Sequence, residues 1–192
     1  MKKIGIDINS VIRNIGKRVK TVLLEKYEIE LSDDIYVDET NFIEVMNEHL
    51  KDVEDEYDFY ESDTFTINSG AETYNNLIDV YINKLRVKLK EQGYQLYLFS
   101  EEGKVTQAST LFFLSKYKIN TDGYVFGEIS KTEEFDIFIT SNKKYKNLYN
   151  TLYIDKKNHV LFRNIINDSY ILLKEINKEN TLFKKLKRKL KL

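Results

Sequence analysis

The chain reads as an α/β protein: a parallel sheet with helices on both faces, and a helical lobe inserted after the first strand. Three observations predict this. After residue 70, short apolar runs alternate with amphipathic stretches, the pattern of strand–helix–strand units. The first apolar run, Lys3-Ile4-Gly5-Ile6, ends in Asp7-Ile8-Asn9-Ser10, which puts a carboxylate at the tip of a buried strand. Residues 11–70 contain no second run of that kind and therefore read as an insertion between the first two sheet strands.

Taken in order, residues 3–8 predict the first strand. Ser10 predicts the cap of a helix running to about residue 27, with Val11, Ile12, Ile15, Val19, Val22 and Leu23 on one face. Residues 29–69 are the least regular, with one short helix expected over 41–50 and another over 54–60. A long amphipathic helix is expected over 72–92, with Leu77, Ile78, Tyr81, Ile82, Leu85 and Leu89 at helical spacing and Gly93 as its stop. Residues 94–99 predict the second strand, ending at Ser100. A helix over 104–117, a short strand over 123–126 and a strand over 135–140 follow. Ser141-Asn142 is expected to cap a helix over 143–149, a fifth strand is expected within 160–163, and a helix from about residue 168 closes the chain.

The composition bounds the function classes. At 192 residues, 42% hydrophobic and 32% charged, the chain has the make-up of a soluble domain with a real core. It has no cysteine, which excludes disulfides and thiolate metal sites. No apolar stretch approaches a membrane span, and the opening Met-Lys-Lys-Ile-Gly-Ile-Asp turns acidic too soon for a signal peptide. Proline is absent while Lys, Asn, Ile and Tyr are frequent, which suggests a low-GC coding bias of bacterial or phage type. The expected location is the cytoplasm, or a phage particle within a bacterial host.

The strand ends carry the chemistry. In open parallel sheets, ligands bind beyond the carboxyl ends of the strands. Asp7, Ser100 and Ser141-Asn142 fall at such ends, and Lys131 lies just ahead of the 135–140 strand. Four short motifs in this order resemble the haloacid dehalogenase-like (HAD) superfamily, especially small phosphatases of the deoxyribonucleotidase type and their phage relatives. The motifs are Ile4-Gly5-Ile6-Asp7-Ile8-Asn9, Leu96-Tyr97-Leu98-Phe99-Ser100, Lys131, and Phe135-Asp136-Ile137-Phe138-Ile139-Thr140-Ser141-Asn142. The resemblance spans residues 1–10 and about 72–165. It implies a HAD-like (Rossmannoid) core made of 1–10 and 71–192, with 11–70 as the helical cap insertion.

The resemblance also implies roles. Asp7 would be the nucleophile that forms an aspartyl-phosphate, and Ser100 and Lys131 would hold phosphate oxygens. Magnesium would be bound by Asp7, the backbone carbonyl of Asn9 and the fourth motif, where this chain offers Asn142. The family pattern has a second Asp as general acid–base where this chain has Asn9, and acidic residues where it has Ser141-Asn142. An amide has no titratable proton, and loss of acid–base help typically costs about 10²–10⁴ in rate. Asp136 is a conceivable replacement ligand, but it begins its strand and is expected at the opposite end of the sheet.

The expected function is therefore that of a catalytically impaired HAD-like protein with a binding, assembly or structural role, part of a larger oligomer and of phage origin. The alternative is a magnesium-dependent phosphatase that acts on a nucleotide or small phosphomonoester through Asp7. A third reading comes from the chain end, where Leu182, Leu186 and Leu190 share a stripe with Lys184, Lys185, Lys187, Arg188, Lys189 and Lys191. That basic amphipathic pattern suits nucleic acid through residues 181–192, an anionic surface, or packing on the chain's own sheet. The acidic segment 33–63 of a second copy is another candidate partner, since head-to-tail contacts build rings. Arg13 either faces the site from the first helix or is solvated. His49 and His159 lack metal-ligand spacing and read as surface residues, while Tyr57, Phe59 and Tyr60 are candidates for a contact surface.

Overall fold

The structure is a computed structural model and describes residues 1–51, 63–104, 106–148 and 150–155. Numbered in chain order, its strands are β1 (Lys2–Asp7), β2 (Arg13–Asn14), β3 (Glu72–Thr73), β4 (Tyr94–Ser100), β5 (Gly123–Phe126), β6 (Ile137–Thr140) and β7 (Thr151–Tyr153). Its α-helices are α1 (Ile15–Tyr27), α2 (Phe42–Leu50), α3 (Thr64–Gly70), α4 (Ile78–Glu91) and α5 (Gln107–Lys116). Among the described residues, five strands form one parallel sheet in the order β5-β4-β1-β6-β7, and β2 and β3 form a separate antiparallel pair.

The apolar strand runs are continuous rather than alternating because both faces of the sheet are covered. One face packs Ile4, Ile6, Leu96, Leu98, Ile137 and Ile139 against α4 and α5 residues such as Ile82, Leu89 and Phe113. The other face carries an aromatic cluster of Phe99, Phe135, Phe138 and Tyr145, with Phe99 and Phe138 edge to face at 5.3 Å. Gly5 makes room for it: a Cβ there would lie 2.4 Å from the Phe135 ring. A further cluster joins Ile15, Val19, Val22 and Leu23 of α1 to Leu31, Val37, Val45, Met46, Leu50 and Ile67. There Gly16 lets the Val37 carbonyl approach α1, since a Cβ would stand 1.9 Å from that oxygen.

The central strand β1 lies between β4 and β6, so the chain crosses over on either side of it. The crevice at such a switch point opens at the carboxyl ends of the strands. Asp7, Ser100 and Thr140 are the last residues of these three strands.

Several elements differ from the sequence expectation. Ser10 caps no helix: residues Ile8–Ile12 form one turn of π-helix, and α1 begins at Ile15 with the Asn14 side chain accepting from the Lys17 N–H. Val11 and Ile12 consequently belong to the sheet core, not to the face of α1. The expected helix over 72–92 begins at Ile78, because residues Glu72–Thr73 pair with Arg13–Asn14 instead. Among the described residues the fifth sheet strand is Thr151–Tyr153, a stretch the sequence did not mark as a strand. The expected helix over 143–149 is a short 3-10 turn at Lys143–Tyr145, capped by Asn142. The His49 ring bonds the Val45 carbonyl on its own helix at 2.8 Å. The expectations for residues 54–60, His159, the 160–163 strand, the helix from 168 and the basic run at 181–192 lie outside the described residues. No described helix is long and apolar enough to cross a membrane.

Candidate functional site

The π turn decides the geometry after β1. It closes when the Arg13 N–H reaches the Ile8 carbonyl, five residues back. The wide turn folds Ser10 onto the carboxylate it follows. Asp7, only 3% exposed, receives the Ser10 hydroxyl on Oδ2 at 2.7 Å, the Thr140 hydroxyl on the same oxygen at 2.8 Å, and the Asn9 backbone N–H on Oδ1 at 3.1 Å. The two hydroxyl oxygens serve as acceptors in turn: the Ser141 N–H donates to Ser10 Oγ at 2.9 Å and the Asn142 N–H to Thr140 Oγ1 at 3.0 Å. Burial pushes the Asp7 carboxyl above its ordinary value, and the bonds from Ser10, Thr140 and Asn9 only partly oppose it.

Beside Asp7 stands a second network, built around Arg13. This arginine is neither solvated nor on a helix. It sits on β2, is 0% exposed, and its guanidinium carbon lies 5.3 Å from the centre of the Phe113 ring. Every one of its five side-chain N–H groups has a partner. Nε donates to Asn9 Oδ1 at 3.0 Å, and Nη2 donates to that same oxygen and to Glu102 Oε1. Nη1 donates to Thr110 Oγ1 at 2.7 Å and to the Asn68 carbonyl at 3.3 Å. The other Glu102 oxygen receives the Thr110 hydroxyl at 2.6 Å. Burial lowers the guanidinium's hold on its proton, while Glu102 and, more weakly, Asp7 oppose that. The remaining end of the Asn9 amide, Nδ2, donates to Ser100 Oγ at 3.2 Å.

The structure thus brings together Asp7, Asn9, Ser100 and the Thr140-Ser141-Asn142 stretch. It does not bring Lys131 to them in any described contact. Lys131 lies in a 3-10 segment, Ile129–Glu134, with its side chain 53% exposed and Nζ 3.6 Å from Glu134 Oε1. Asp136 is at the far end of the sheet, as expected, where it accepts from the Lys3 N–H at 2.8 Å. Sequence reasoning did not mark Glu102, Thr110 or Asn68, and it named Thr140 only within the strand of the fourth motif. Glu102 carries one usable signal, as an acidic residue two positions past a strand that ends in Ser100.

Taken alone, the described donor set is too thin to cage the magnesium ion that the resemblance implies. Magnesium is ordinarily bound through one or two carboxylates together with waters and substrate phosphates rather than in an all-protein cage. Asp7 supplies one carboxylate, on which three hydrogen bonds leave about one of four lone-pair sites open. Asn142 Oδ1 accepts from the Lys144 N–H at 2.9 Å as a cap, which occupies one of its two lone pairs. Ser141 Oγ is buried without a hydrogen-bond partner, but it is a neutral oxygen. Among the described residues, no three His, Cys, Asp or Glu side chains converge.

A parallel sheet flanked by helices, with polar residues gathered at its central switch point, has the HAD-like Rossmann-type α/β fold. No family model and no curated protein matches the chain. Among solved structures, it is similar to a Thermotoga maritima protein provisionally assigned as a beta-phosphoglucomutase, at 14% identity and TM-score 0.53, covering 92% of this chain and 100% of that one. It is also similar to a phosphonoacetaldehyde hydrolase-like protein from Oleispira antarctica, at 13% identity and TM-score 0.45. That match covers 72% of this chain and spans 64% of the Oleispira protein.

Proposed function

We propose that this chain is a HAD-like protein that does not turn over phosphomonoesters and acts by binding or assembly, with residues 11–70 as its cap. The observation that carries this reading is the closed state of Asn9. Both ends of its amide are bonded, to Arg13 and to Ser100, so the position that would shuttle a proton holds a fixed neutral group. Ser100, the expected phosphate-holding hydroxyl, accepts from that amide at 3.2 Å. Charge supports the same reading. Arg13 is matched by Glu102, and Lys144 by Glu101 at 2.7 Å, so neither has charge to spare for the roughly two negative charges of a phosphate group.

An Asp7-dependent phosphatase is the alternative. It is favoured by one observation: a buried carboxyl at the switch point of a fold shared with a provisionally assigned beta-phosphoglucomutase. The test is to incubate the full chain with magnesium and an aryl phosphate, beside Asp7→Asn. The expected result is no release of phosphate from either protein. Turnover by the wild type that Asp7→Asn abolishes would overturn the proposal. Native mass measurement examines the assembly role, for which a discrete oligomer is expected and a strict monomer counts against it.

A further inference from the structure

We propose that Arg13 is a clasp that couples the placement of helix α3 to the orientation of the Asn9 amide beside Asp7. The coupling does not depend on whether Asp7 ever carries a phosphoryl group, so it stands apart from the functional reading above. Arg13 joins the turn just before it to three other parts of the chain: α3, α5 and the segment after β4. Nε and Nη2 hold Asn9, in the turn after β1. Nη1 holds the Asn68 carbonyl, on α3, and the Thr110 hydroxyl, on α5. Nη2 also pairs with Glu102, beyond β4.

A guanidinium is a rigid plane, so its N–H groups cannot be re-aimed one at a time. If α3 withdraws and Nη1 loses the Asn68 carbonyl, the plane can follow or stay. If it follows, Nε and Nη2 leave Asn9. If it stays, a fully buried N–H is left without an acceptor. Both alternatives are costly for a guanidinium that is itself fully buried, so the two ends move as a pair. Asn68 adds to the link, because its side chain faces the same carboxylate, with Nδ2 3.5 Å from Glu102 Oε1, while its Oδ1 is buried without a partner. That orphan acceptor marks α3 as the less fully satisfied side of the clasp. Coupling between two sites is reciprocal, so a change at Asn9 must be felt at α3. Arg13 is on this view a positioning residue: it sets where the Asn9 amide points and reports the state of the helix above it.

The experiment is hydrogen exchange on the full chain for wild type, Arg13→Lys, Thr110→Val and Asn9→Ala. A lysine keeps the charge beside Glu102 but cannot span Asn9, Thr110 and Asn68 together. In Arg13→Lys, amides of the 8–12 turn and of Thr64–Gly70 are expected to exchange faster together, by about fivefold or more, while the Val19–Leu23 stretch of α1 keeps its protection. Asn9→Ala supplies the decisive reading, because the Asn9 side chain bonds Arg13 and Ser100 and none of its described bonds reaches α3. Its loss is nevertheless expected to speed exchange in Thr64–Gly70. Thr110→Val gives a smaller change of the same pattern, and it also answers the question if Arg13→Lys does not fold. Faster exchange in the turn alone, no change at α3 in Asn9→Ala, or a uniform loss across the whole chain would each overturn the proposal.

Discussion

Replacing Asp7 by Asn is expected to stabilise the protein, and the gain is expected to grow with pH. The wild-type carboxyl is buried, accepts three hydrogen bonds, and titrates above its ordinary value of 3.8 because desolvation outweighs those bonds. A carboxyl raised in the folded state supports the fold below the unfolded pKa. That support is lost as pH rises through the folded pKa, and above it the protein carries a penalty of about 1.4 kcal/mol per unit of rise. Asparagine carries no such penalty. Its oxygen can still accept from the Asn9 N–H, and its NH2 can face Ser10 and Thr140, whose hydroxyls turn from donors into acceptors. The two proteins should therefore match within about 1 kcal/mol in acid and diverge as the pH climbs through the carboxylate range, with a plateau above it. Urea denaturation from about pH 3 to about pH 8 measures this. With a slope of about 3 kcal/mol/M, each unit of rise moves the midpoint by about 0.5 M. A difference that stays flat, or a mutant that loses stability as pH rises, would show that Asp7 is favoured as an ion, and the account of its burial would fail.

Other outcomes follow from single contacts. Gly5→Ala should cost about 1–3 kcal/mol in chemical denaturation, because the new methyl meets the Phe135 ring at 2.4 Å within a stacked aromatic cluster. Lys131→Ala should change stability by less than about 0.5 kcal/mol, since its long contact with Glu134 joins two half-exposed groups. Thermal unfolding in millimolar magnesium should match that in a chelator, because a ligand that binds the folded state would raise the midpoint; a clear upward shift would contradict the reading of the donor set.

The strands β1, β4, β5 and β6 were legible as apolar runs, unbroken where burial covers both faces, whereas β7 and the short β2–β3 pair were not. Tyr94 to Phe99 and Ile137 to Ile139 could hardly be anything else, and Gly123 to Phe126 is bounded by turn residues on both sides. The first turn was not legible. Val11, Ile12, Ile15 and Val19 sit at spacings that suit one helix, yet the chain assigns the first two to the sheet core and the last two to a different cluster. Local pattern cannot distinguish those outcomes, since the separation is made by a π turn and by two residues that pair with Glu72–Thr73. Arg13 was unreadable for a related reason. A lone arginine reads as solvated until its counter-charge is known, and Glu102 lies 89 residues away. Asn9 stood out in the sequence as the position where the resemblance would place an Asp, but the neighbour that pins it was not legible.

The wide turn at Ile8–Ile12 also sets what kinds of change this chain can absorb. Each residue of a helical turn advances the chain by about 100°. Dropping one residue there would swing the following arginine out of its niche, even if every remaining side chain stayed chemically identical. At Gly103, by contrast, nothing lies near enough to object. Drift in amino-acid identity around the turn is therefore survivable where drift in its length is not, and insertions or deletions should accumulate at the loop while leaving the turn's residue count untouched.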